Sequence, residues 1–513
     1  MTTTPTLGAG LAVELRPALR KRAILPLLLL AYPVGLALMW RRTAWRIGTK
    51  TALSILFAPA FVLLVLLCLK PWWDFTGDLG WTSFSLDFTK GPGQYNQLEA
   101  HRAQQKDTIK PGAGAPALIV PDWTDFRGPR RDGIVASTIS LDWSKKPPRQ
   151  LYRQPVGEGY SSFVIGGGRA YTMEQRRGDE ALVCYDAATG RELWTMQYPA
   201  RFTETLGGDG PRATPTLDGD RVYSLGAEGH LFCVKAADGH PLWNRHVLKD
   251  FRGENLTWAM SGSPLIVDDA VLVTSSGVGA PAVQAYDKLT GKPRWDADVG
   301  RQGYTSLVTA TLLGTRQVLN LAASTLVALD PANGKTLWTF PWPTSMGINC
   351  SQPIPVGEDR VFVSAGYGHG CALVKLAREG NKLVAKELWS SIKMKNKFSA
   401  SVIHDGHVYG LDEGVLACLN LDTGERKWKG KSYGHGNLLL VAGGPSGAKS
   451  PAAHLIVLSE EGELALVRAT PEKFEELGAI QALKGRTWNN FTLTGTLLLA
   501  RNHKEMVAYD LAP

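Results

Sequence analysis

A short hairpin motif recurs along this chain and constrains its fold more than any other feature. In the first copy, one strand ends at Asp186, a turn closes at Gly190, and a second strand carries Trp194. Aspartate can hydrogen-bond the backbone ahead of it, and glycine supplies the positive φ that such a turn needs. Equivalent tryptophans follow at 243, 295, 338, 389 and 428, so the spacings are 49, 52, 43, 51 and 39 residues. This period predicts the four-stranded blades of a β-propeller.

The strand pattern predicts eight such blades, with inner strands starting near residues 161, 212, 261, 304, 351, 398, 437 and 490. The fifth unit has a longer hairpin, Leu376 to Lys386, and the seventh is degenerate over residues 469–477. The eighth stops at Pro513 without its outer strand. Residues 150–156 precede the first unit as an outer strand would. We therefore predict that they pair with the C-terminal strands and close the ring, which removes the open sheet edges. The outer-strand tryptophans should then pack between blades.

The positive charge of the chain lies mostly at its N-terminus. Residues 1–50 carry eight basic side chains and one acidic side chain, which accounts for most of the net charge of +9. The eight are Arg16, Arg20, Lys21, Arg22, Arg41, Arg42, Arg46 and Lys50. Basic residues beside apolar runs are typical of membrane proteins, so no nucleic-acid partner is predicted.

Two uncharged runs, residues 23–40 and 51–69, are long enough to cross the hydrocarbon core as helices. Pro26 and Pro33 leave open whether the first run spans, kinks or lies at the interface. The predicted organisation is a basic tail (1–22), a membrane region (23–69), a linker (70–120) and an all-β propeller (121–513). The basic loop between the runs favours a cytoplasmic loop and an extracytoplasmic, periplasmic propeller, although the basic residues before the first run favour the opposite. The tryptophans at 72, 73 and 81 are either interfacial anchors or ordinary packing residues.

No metal site or disulfide framework is predicted from the cysteines and histidines. The six cysteines include no Cys-x-x-Cys pair and no adjacent pair. Cys184, Cys233 and Cys418 occupy one repeat position and are interpreted as small apolar fillers. His404 and His407 flank an Asp-Gly pair, which favours a hairpin turn over a metal site.

The repeats resemble the pyrroloquinoline quinone (PQQ) repeat, whose Asp, Gly and Trp match Asp186, Gly190 and Trp194. The segments Trp123–Gly133, Gly366–Gly370 and Lys393–Phe398 are similar to a bacterial PQQ-like subfamily. The family includes quinoprotein alcohol dehydrogenases and non-enzymatic outer-membrane assembly lipoproteins of the BamB type. The dehydrogenases typically have a disulfide of adjacent cysteines and a calcium-binding carboxylate group, and neither is legible in this sequence. The resemblance implies the propeller fold. PQQ with calcium is a possible cofactor, but no sequence motif supports it. The cofactor is therefore left unassigned.

In a propeller, side chains at the start of the inner strands converge on the central channel. The polar and aromatic residues expected at this mouth are Tyr160, Arg212, Trp258, Tyr304, Asn349, Lys397, His435, Trp488 and Asn490, with His369 reaching it from a glycine-rich loop. One interpretation is a pocket for a planar or anionic ligand, with Arg212 and Lys397 as charge partners and Trp488 as a stacking face. The other is that these side chains fill the mouth and satisfy one another.

The first functional hypothesis is a membrane-anchored propeller that acts outside the cytoplasm as a binding or protein-interaction module. The second is a divergent PQQ-dependent oxidoreductase acting on an alcohol or a sugar, and a hydrolase or lyase is a third. No catalytic residue is assigned, because the repeat is a scaffold that carries many functions.

Overall fold

The computed structural model describes residue 28 and residues 32–69, 72–76, 83–87, 92–107, 120–275, 281–442 and 453–513. The basic tail, residues 23–27 and 29–31 of the first apolar run, and residues 108–119 of the expected linker lie outside the described residues. The chain forms two compact units, one of which holds residues 1–73 and 85–90. Its helices are α1 (Tyr32–Arg42) and α2 (Ile47–Leu69). Within the described chain, α2 contains the one helix stretch, Ile47–Leu64, that is long and apolar enough to cross a membrane.

The second unit holds residues 74–84 and 91–513. Before the blades come two short paired strands, β1 (Trp72–Thr76) and β2 (Ser83–Asp87), a helix, α3 (Pro92–Asp107), and the strands β3 (Ile134–Ala136) and β4 (Arg149–Pro155). Blade 1 contains β5 (Val164–Gly166), β6 (Arg169–Arg176), β7 (Asp179–Asp186) and β8 (Glu192–Pro199). Blade 2 contains β9 (Thr216–Asp218), β10 (Arg221–Leu225), β11 (His230–Lys235) and β12 (Pro241–His246), followed by the short helix α4 (Val247–Asp250). Blade 3 contains β13 (Leu265–Val267), β14 (Ala270–Thr274), β15 (Val283–Asp287) and β16 (Pro293–Ala297).

The remaining blades follow the same order. Blade 4 contains β17 (Val308–Leu312), β18 (Thr315–Leu321), β19 (Thr325–Leu329) and β20 (Thr336–Pro341), followed by a 3₁₀ turn (Ser345–Gly347). Blade 5 contains β21 (Ile354–Val356), β22 (Arg360–Ala365), β23 (Gly370–Glu379) and β24 (Lys382–Ser391). Blade 6 contains β25 (Val402–His404), β26 (His407–Asp412), β27 (Val415–Asn420) and β28 (Arg426–Ser432). Blade 7 contains β29 (Asn437–Ala442), β30 (His454–Leu458), β31 (Glu463–Arg468) and β32 (Glu476–Gln481), and blade 8 contains β33 (Thr492–Thr494), β34 (Leu497–Arg501) and β35 (Glu505–Asp510).

The four blade strands of each of the eight sheets run antiparallel, so the predicted eight-bladed propeller is confirmed. Blade 8 takes its fourth strand from upstream: β4 pairs antiparallel with β35, and Tyr152 lies opposite Ala508. This is the pairing expected of residues 150–156. Blade 7 has a fifth strand, because β3 runs parallel to its inner strand β29.

The outer-strand tryptophans pack between blades. The indole of Trp194 lies on the turn of blade 2, where a Cβ added to Gly239 would stand 2.5 Å from the ring. Its Nε1–H donates to the carbonyl of Ala236 in the same turn at 3.1 Å. The indole N–H groups of Trp243, Trp295, Trp389 and Trp428 likewise reach backbone carbonyls of the following blade at 2.8–3.1 Å. The turn glycines of blades 2, 3, 4 and 6 therefore provide the flat surface on which the preceding tryptophan rests: Gly239, Gly291, Gly334 and Gly424.

Two seams use other aromatic residues because the repeat is incomplete there. In blade 7, Gly478 pairs with Leu466 at the position of the missing tryptophan. Buried Trp143, from the segment before β4, fills this place, and its Cβ lies 2.8 Å from where a Cβ on Gly478 would stand. At the seam between blades 8 and 1, Tyr152 covers Gly190 and donates its hydroxyl to the carbonyl of Ala187 at 3.1 Å.

The small motifs also have structural roles. Cys184, Cys233 and Cys418 are fully buried, and each lies opposite an outer-strand tryptophan. No described cysteine forms a disulfide. His404 and His407 pair across the tight β25–β26 turn, as predicted.

Helix α3 lies within the expected linker and packs on the ring-closing seam. Gln94 donates to the carbonyl of His503 in blade 8 at 2.5 Å, and Tyr95 donates to the carboxylate of Glu158 at 2.5 Å. Arg102 forms an ion pair of 2.7 Å with Glu192 in blade 1. The helix therefore bridges both sides of the seam.

Blade 2 contains a histidine pair that we expect to make the fold acid-sensitive. The rings of His230 and His246 lie 4.4 Å apart, and burial, with His246 and Lys249 nearby, lowers the pKa of His230 to about 4. The folded state therefore favours the neutral ring, so this contribution to stability is complete above pH 6.5 and is lost as the pH falls towards 4. The Tm, measured against pH, should fall across this range and fall less in His230→Asn. His240→Asn, an exposed control in the same blade, should follow the unmodified protein; an unchanged acid response in His230→Asn would contradict the assignment.

Candidate functional site

The mouth of the channel is built by the chain segments that lead into the inner strands. In blades 1 to 4 these segments are tied edge to edge by backbone N–H groups donating to hydroxyls. Ser162 donates to Thr214 Oγ1, Thr214 to Ser263 Oγ, and Ser263 to Ser306 Oγ, each at 3.0 Å. This repeated bond holds neighbouring segments in register, so the side chains just before them share one surface.

Five side chains at the mouth form a continuous stack, which we call the mouth cluster: Phe398, Trp488, Tyr160, Arg486 and Arg212. The ring centroids of Phe398 and Trp488 are 4.8 Å apart, and those of Trp488 and Tyr160 are 5.7 Å apart. The guanidinium of Arg486 lies 4.7 Å from the Trp488 ring, and that of Arg212 lies 5.4 Å from the Tyr160 ring. Cations over aromatic faces are attracted by the ring quadrupole, so the cluster is held by cation–π contacts as well as by packing.

Two further predicted residues join the mouth cluster through Phe398. The ammonium of Lys397 lies 5.3 Å from the Phe398 ring and 4.4 Å from the Tyr367 ring. The ring of His435 lies 5.5 Å from that of Phe398. The predicted residues Tyr160, Arg212, Lys397, His435 and Trp488 are therefore connected, across blades 1, 2, 6, 7 and 8.

The other predicted residues make contacts of a different kind. Trp258 and Tyr304 form their own aromatic pair at 5.8 Å. Asn349 is buried and donates to the carbonyl of Ala322 at 2.7 Å. His369 packs edge-on against Trp342 at 4.4 Å. Asn490 is half-buried, and its neighbour Asn489 makes the contact across the seam, to the carbonyls of Gly159 and Ser161.

Sequence reasoning missed three contributors to the mouth. Phe398 directly follows Lys397, and Arg486 comes two residues before Trp488, so their positions in the same segments could have indicated them. Glu460 accepts hydrogen bonds from Trp488 Nε1 at 2.8 Å and from the backbone N–H of His435 at 3.0 Å. It comes from the turn between β30 and β31, where no repeat signal marks it.

Burial shifts the pKa values of two ionisable groups near the mouth, Arg212 and Cys350. Burial lowers the pKa of Arg212, and the neighbouring Arg486 lowers it further. The guanidinium of Arg212 donates to the backbone carbonyls of Gly207, Gly208 and Gly210. Burial raises the pKa of the Cys350 thiol to about 12 despite the opposing effect of Lys397. The thiol is therefore protonated at neutral pH and is a poor nucleophile.

Deeper in the channel, residues 121–136 form a plug, and two of its three arginines reach different parts of the ring. Arg131 donates to the carbonyl of Leu307 in blade 4 at 2.8 Å and to that of Pro264 in blade 3, and it pairs with the carboxylate of Asp125 at 2.5 Å. Arg127 donates to the carbonyl of Ser401 in blade 6 at 3.1 Å. Burial raises the pKa of Asp125, although its pairing with Arg131 opposes this rise.

The plug also joins the inner strands through its backbone. Trp123 exchanges two hydrogen bonds of 2.8 Å with Ile165 of blade 1, and β3 pairs with blade 7. The carbonyl of Pro121 accepts from Thr494 of blade 8 at 2.8 Å. Since blades 3 and 7 face each other in a ring of eight, the plug crosses the channel axis.

The described mouth residues do not fit a calcium-bound quinone. Calcium takes six to eight oxygen ligands, usually with several carboxylates. No group of three or more His, Cys, Asp or Glu side chains with metal-binding geometry occurs in the described residues. Glu460, a carboxylate that contacts the stack, is already bonded to Trp488 and to the backbone of His435. The donor set of the mouth thus suits an aromatic or anionic surface better than a metal.

The fold is an eight-bladed β-propeller, and its repeats are similar to the PQQ repeat. The profile of the family described as outer membrane protein assembly factor BamB matches residues 178–430, and this confirms the predicted resemblance. The fold is also similar to that of a quinohemoprotein alcohol dehydrogenase from Pseudomonas putida, with a TM-score of 0.50 at 12% identity, covering 76% of this chain and 80% of that chain.

Two curated relatives are similar in sequence to part of the chain. An outer membrane protein assembly factor BamB from Burkholderia pseudomallei is 24% identical over 277 residues, which are 52% of this chain and 63% of the relative. A tetrathionate hydrolase from Acidithiobacillus ferrooxidans is 22% identical over 240 residues, which are 44% of each protein. The chain thus spans less than two thirds of the length of either relative.

Proposed function

We propose that this protein is a membrane-anchored, PQQ-like propeller that binds another protein at its mouth, outside the cytoplasm. The proposal rests first on the mouth cluster, whose side chains stack on one another above the plug and so present a surface rather than a tunnel. The name of the Burkholderia relative, an assembly factor, supports a role in protein interaction.

Three exposed apolar side chains lie on loops that lead into mouth residues. Leu206, Met346 and Ile392 are 54%, 66% and 70% exposed. The backbone carbonyl of Leu206 accepts a hydrogen bond from Arg486 of the mouth cluster at 3.1 Å. Large apolar residues gathered on one face are typical of protein-binding surfaces.

A photo-crosslinking experiment tests the mouth directly. A photoreactive phenylalanine analogue at position 206 or 346 of the full chain should give a discrete crosslinked partner in cells. Position 289 provides the matched control, because Leu289 is 55% exposed but lies in an outer turn of blade 3. Equal crosslinking from position 289, or none from 206 and 346, would contradict the proposal.

Membrane anchoring is supported by α2 and by the basic residues that precede its uncharged part. This end of the helix is favoured on the cytoplasmic side by four basic residues, Arg41, Arg42, Arg46 and Lys50. The propeller would then lie on the other side of the membrane. Alkaline phosphatase fused after Pro513 should be active, because it would be exported with the propeller. Green fluorescent protein fused at the same position and exported by the same route should not fluoresce. The opposite pair of results would place the propeller in the cytoplasm.

A PQQ-dependent oxidoreductase is the second candidate, favoured by the fold shared with the Pseudomonas dehydrogenase and by the aromatic and arginine side chains of the mouth. Titration of the full chain with PQQ, with and without calcium, should show no saturable heat or absorbance change. Saturable binding accompanied by alcohol oxidation would support the enzyme instead.

A further inference from the structure

The flank of blades 5 and 6 carries an excess of positive charge that the rest of the propeller lacks. Residues 370–432 contain eleven basic and seven acidic side chains. The remaining propeller residues, 121–369 and 433–513, contain 32 basic and 34 acidic side chains. The positive charge of the propeller is therefore local.

Three of these basic side chains gather around one buried carboxylate. The side chain of Asp412 is 0% exposed, and its oxygens are reached by Lys395 at 2.5 Å, by Lys429 at 2.7 Å and by Arg426 at 3.0 Å. Burial would raise the pKa of Asp412, but the hydrogen bonds from Lys395 and Lys429 outweigh it and lower the pKa. One carboxylate is thus shared by three cations. A second carboxylate, that of Glu413, lies 3.8 Å from the ammonium of Lys395.

Two more cations border this group without a carboxylate of their own. Lys393 and Lys427 are exposed, and neither forms an ion pair within 4.0 Å in the described part of the chain. Lys431, which lies on β28 like Lys427, forms an ion pair of 2.6 Å with Glu463 of blade 7. We name Lys393, Lys395, Arg426, Lys427 and Lys429 the basic edge.

Three members of the basic edge lie on a strand with an open side. Strand β28 is the outermost strand of blade 6, and its pairing in the described residues is with β27 alone. An open strand edge presents backbone N–H and C=O groups that can pair with another chain. The lysines repel a second copy of the same edge, so they prevent self-association while favouring a strand of opposite charge.

We propose that β28 is a docking edge for an extended, acidic polypeptide segment of a partner protein. The partner strand would add to blade 6 through main-chain hydrogen bonds, and its Asp or Glu side chains would meet the basic edge. An anionic lipid headgroup could use the charges but not the strand edge. The inference extends the proposed binding function, and it uses a surface separate from the mouth.

The test uses the full chain in a neutral detergent and a labelled peptide of alternating Glu and Val residues. Fluorescence anisotropy should show saturable binding that weakens as salt rises, and the matched Lys-Val peptide should not bind. The double variant Lys393→Glu/Lys427→Glu should bind about tenfold more weakly. These side chains do not contact Asp412, so the Tm should be unchanged. Lys382→Glu/Lys386→Glu, on the exposed outer strand of blade 5, is the charge-matched control and should bind normally.

Hydrogen exchange identifies the mode of binding. Peptide addition should protect backbone amides within residues 426–432. Equal loss of binding in both double variants, or peptide binding without protection of β28, would overturn the proposal. Stronger binding to phosphatidylglycerol vesicles than to the peptide, again without protection, would assign the edge to a membrane surface. None of these results depends on crosslinking from positions 206 and 346, so failure here is distinguishable from failure of the mouth proposal.

Discussion

Replacing Arg131 by alanine is expected to lower the free energy of unfolding by about 3–5 kcal/mol. The side chain is 2% exposed and pairs with buried Asp125, while its guanidinium also donates to carbonyls of blades 3 and 4. The variant leaves a buried carboxylate without its cation and several carbonyls without a donor. Urea unfolding followed by tryptophan fluorescence provides the measurement.

Arg130 is a matched control because it is the preceding residue and also forms an ion pair. Its side chain is 70% exposed, and it pairs with Asp132 at 2.7 Å. An exposed pair contributes little, so Arg130→Ala should cost less than about 1 kcal/mol. Similar losses in the two variants would show that the plug does not depend on Arg131.

Replacing Trp428 by alanine is expected to cost about 3–5 kcal/mol, because it removes the ring that fills the seam between blades 6 and 7. This indole is 8% exposed, its N–H donates to the carbonyl of Thr470 at 2.8 Å, and its ring packs against Phe474. The same unfolding measurement applies.

Trp428→Phe separates packing from hydrogen bonding. Phenylalanine retains most of the buried ring but loses the N–H donor, so the expected cost is about 1 kcal/mol. Leu388→Ala, at a side chain that is 49% exposed on the outer strand of blade 5, should be nearly neutral. An alanine variant of Trp428 no worse than the phenylalanine variant would contradict the role of the seam.

The propeller could be predicted because its determinants are local and repeated. The Asp and Gly of each turn and the tryptophan after it stand close together in sequence, and five intact copies reinforce one another. The outer-strand character of residues 150–156 was visible for the same reason, since the pattern around Tyr152 repeats that around Trp295. Even the degenerate seventh blade was recognisable, although the residue that repairs it, Trp143, was not.

The plug and helix α3 could not be predicted, because their contacts are unique and distant in sequence. Arg131 bonds to Leu307, 176 residues away, and Gln94 bonds to His503, 409 residues away. Helix α3 docks mainly through polar side chains, so no apolar periodicity marks it. At the mouth, the converging segments were predictable, whereas the pairing of Arg486 with Trp488 depends on side-chain geometry.

Three elements that stand before the first blade complete the ring: helix α3 bridges the seam, the plug crosses the channel, and β4 is the fourth strand of blade 8. A soluble fragment that begins at the predicted propeller boundary, residue 121, would keep the plug and the outer strand but would lose the helix that bridges the seam between blades 8 and 1. A shortened chain that lacks α2 should therefore begin before Pro92.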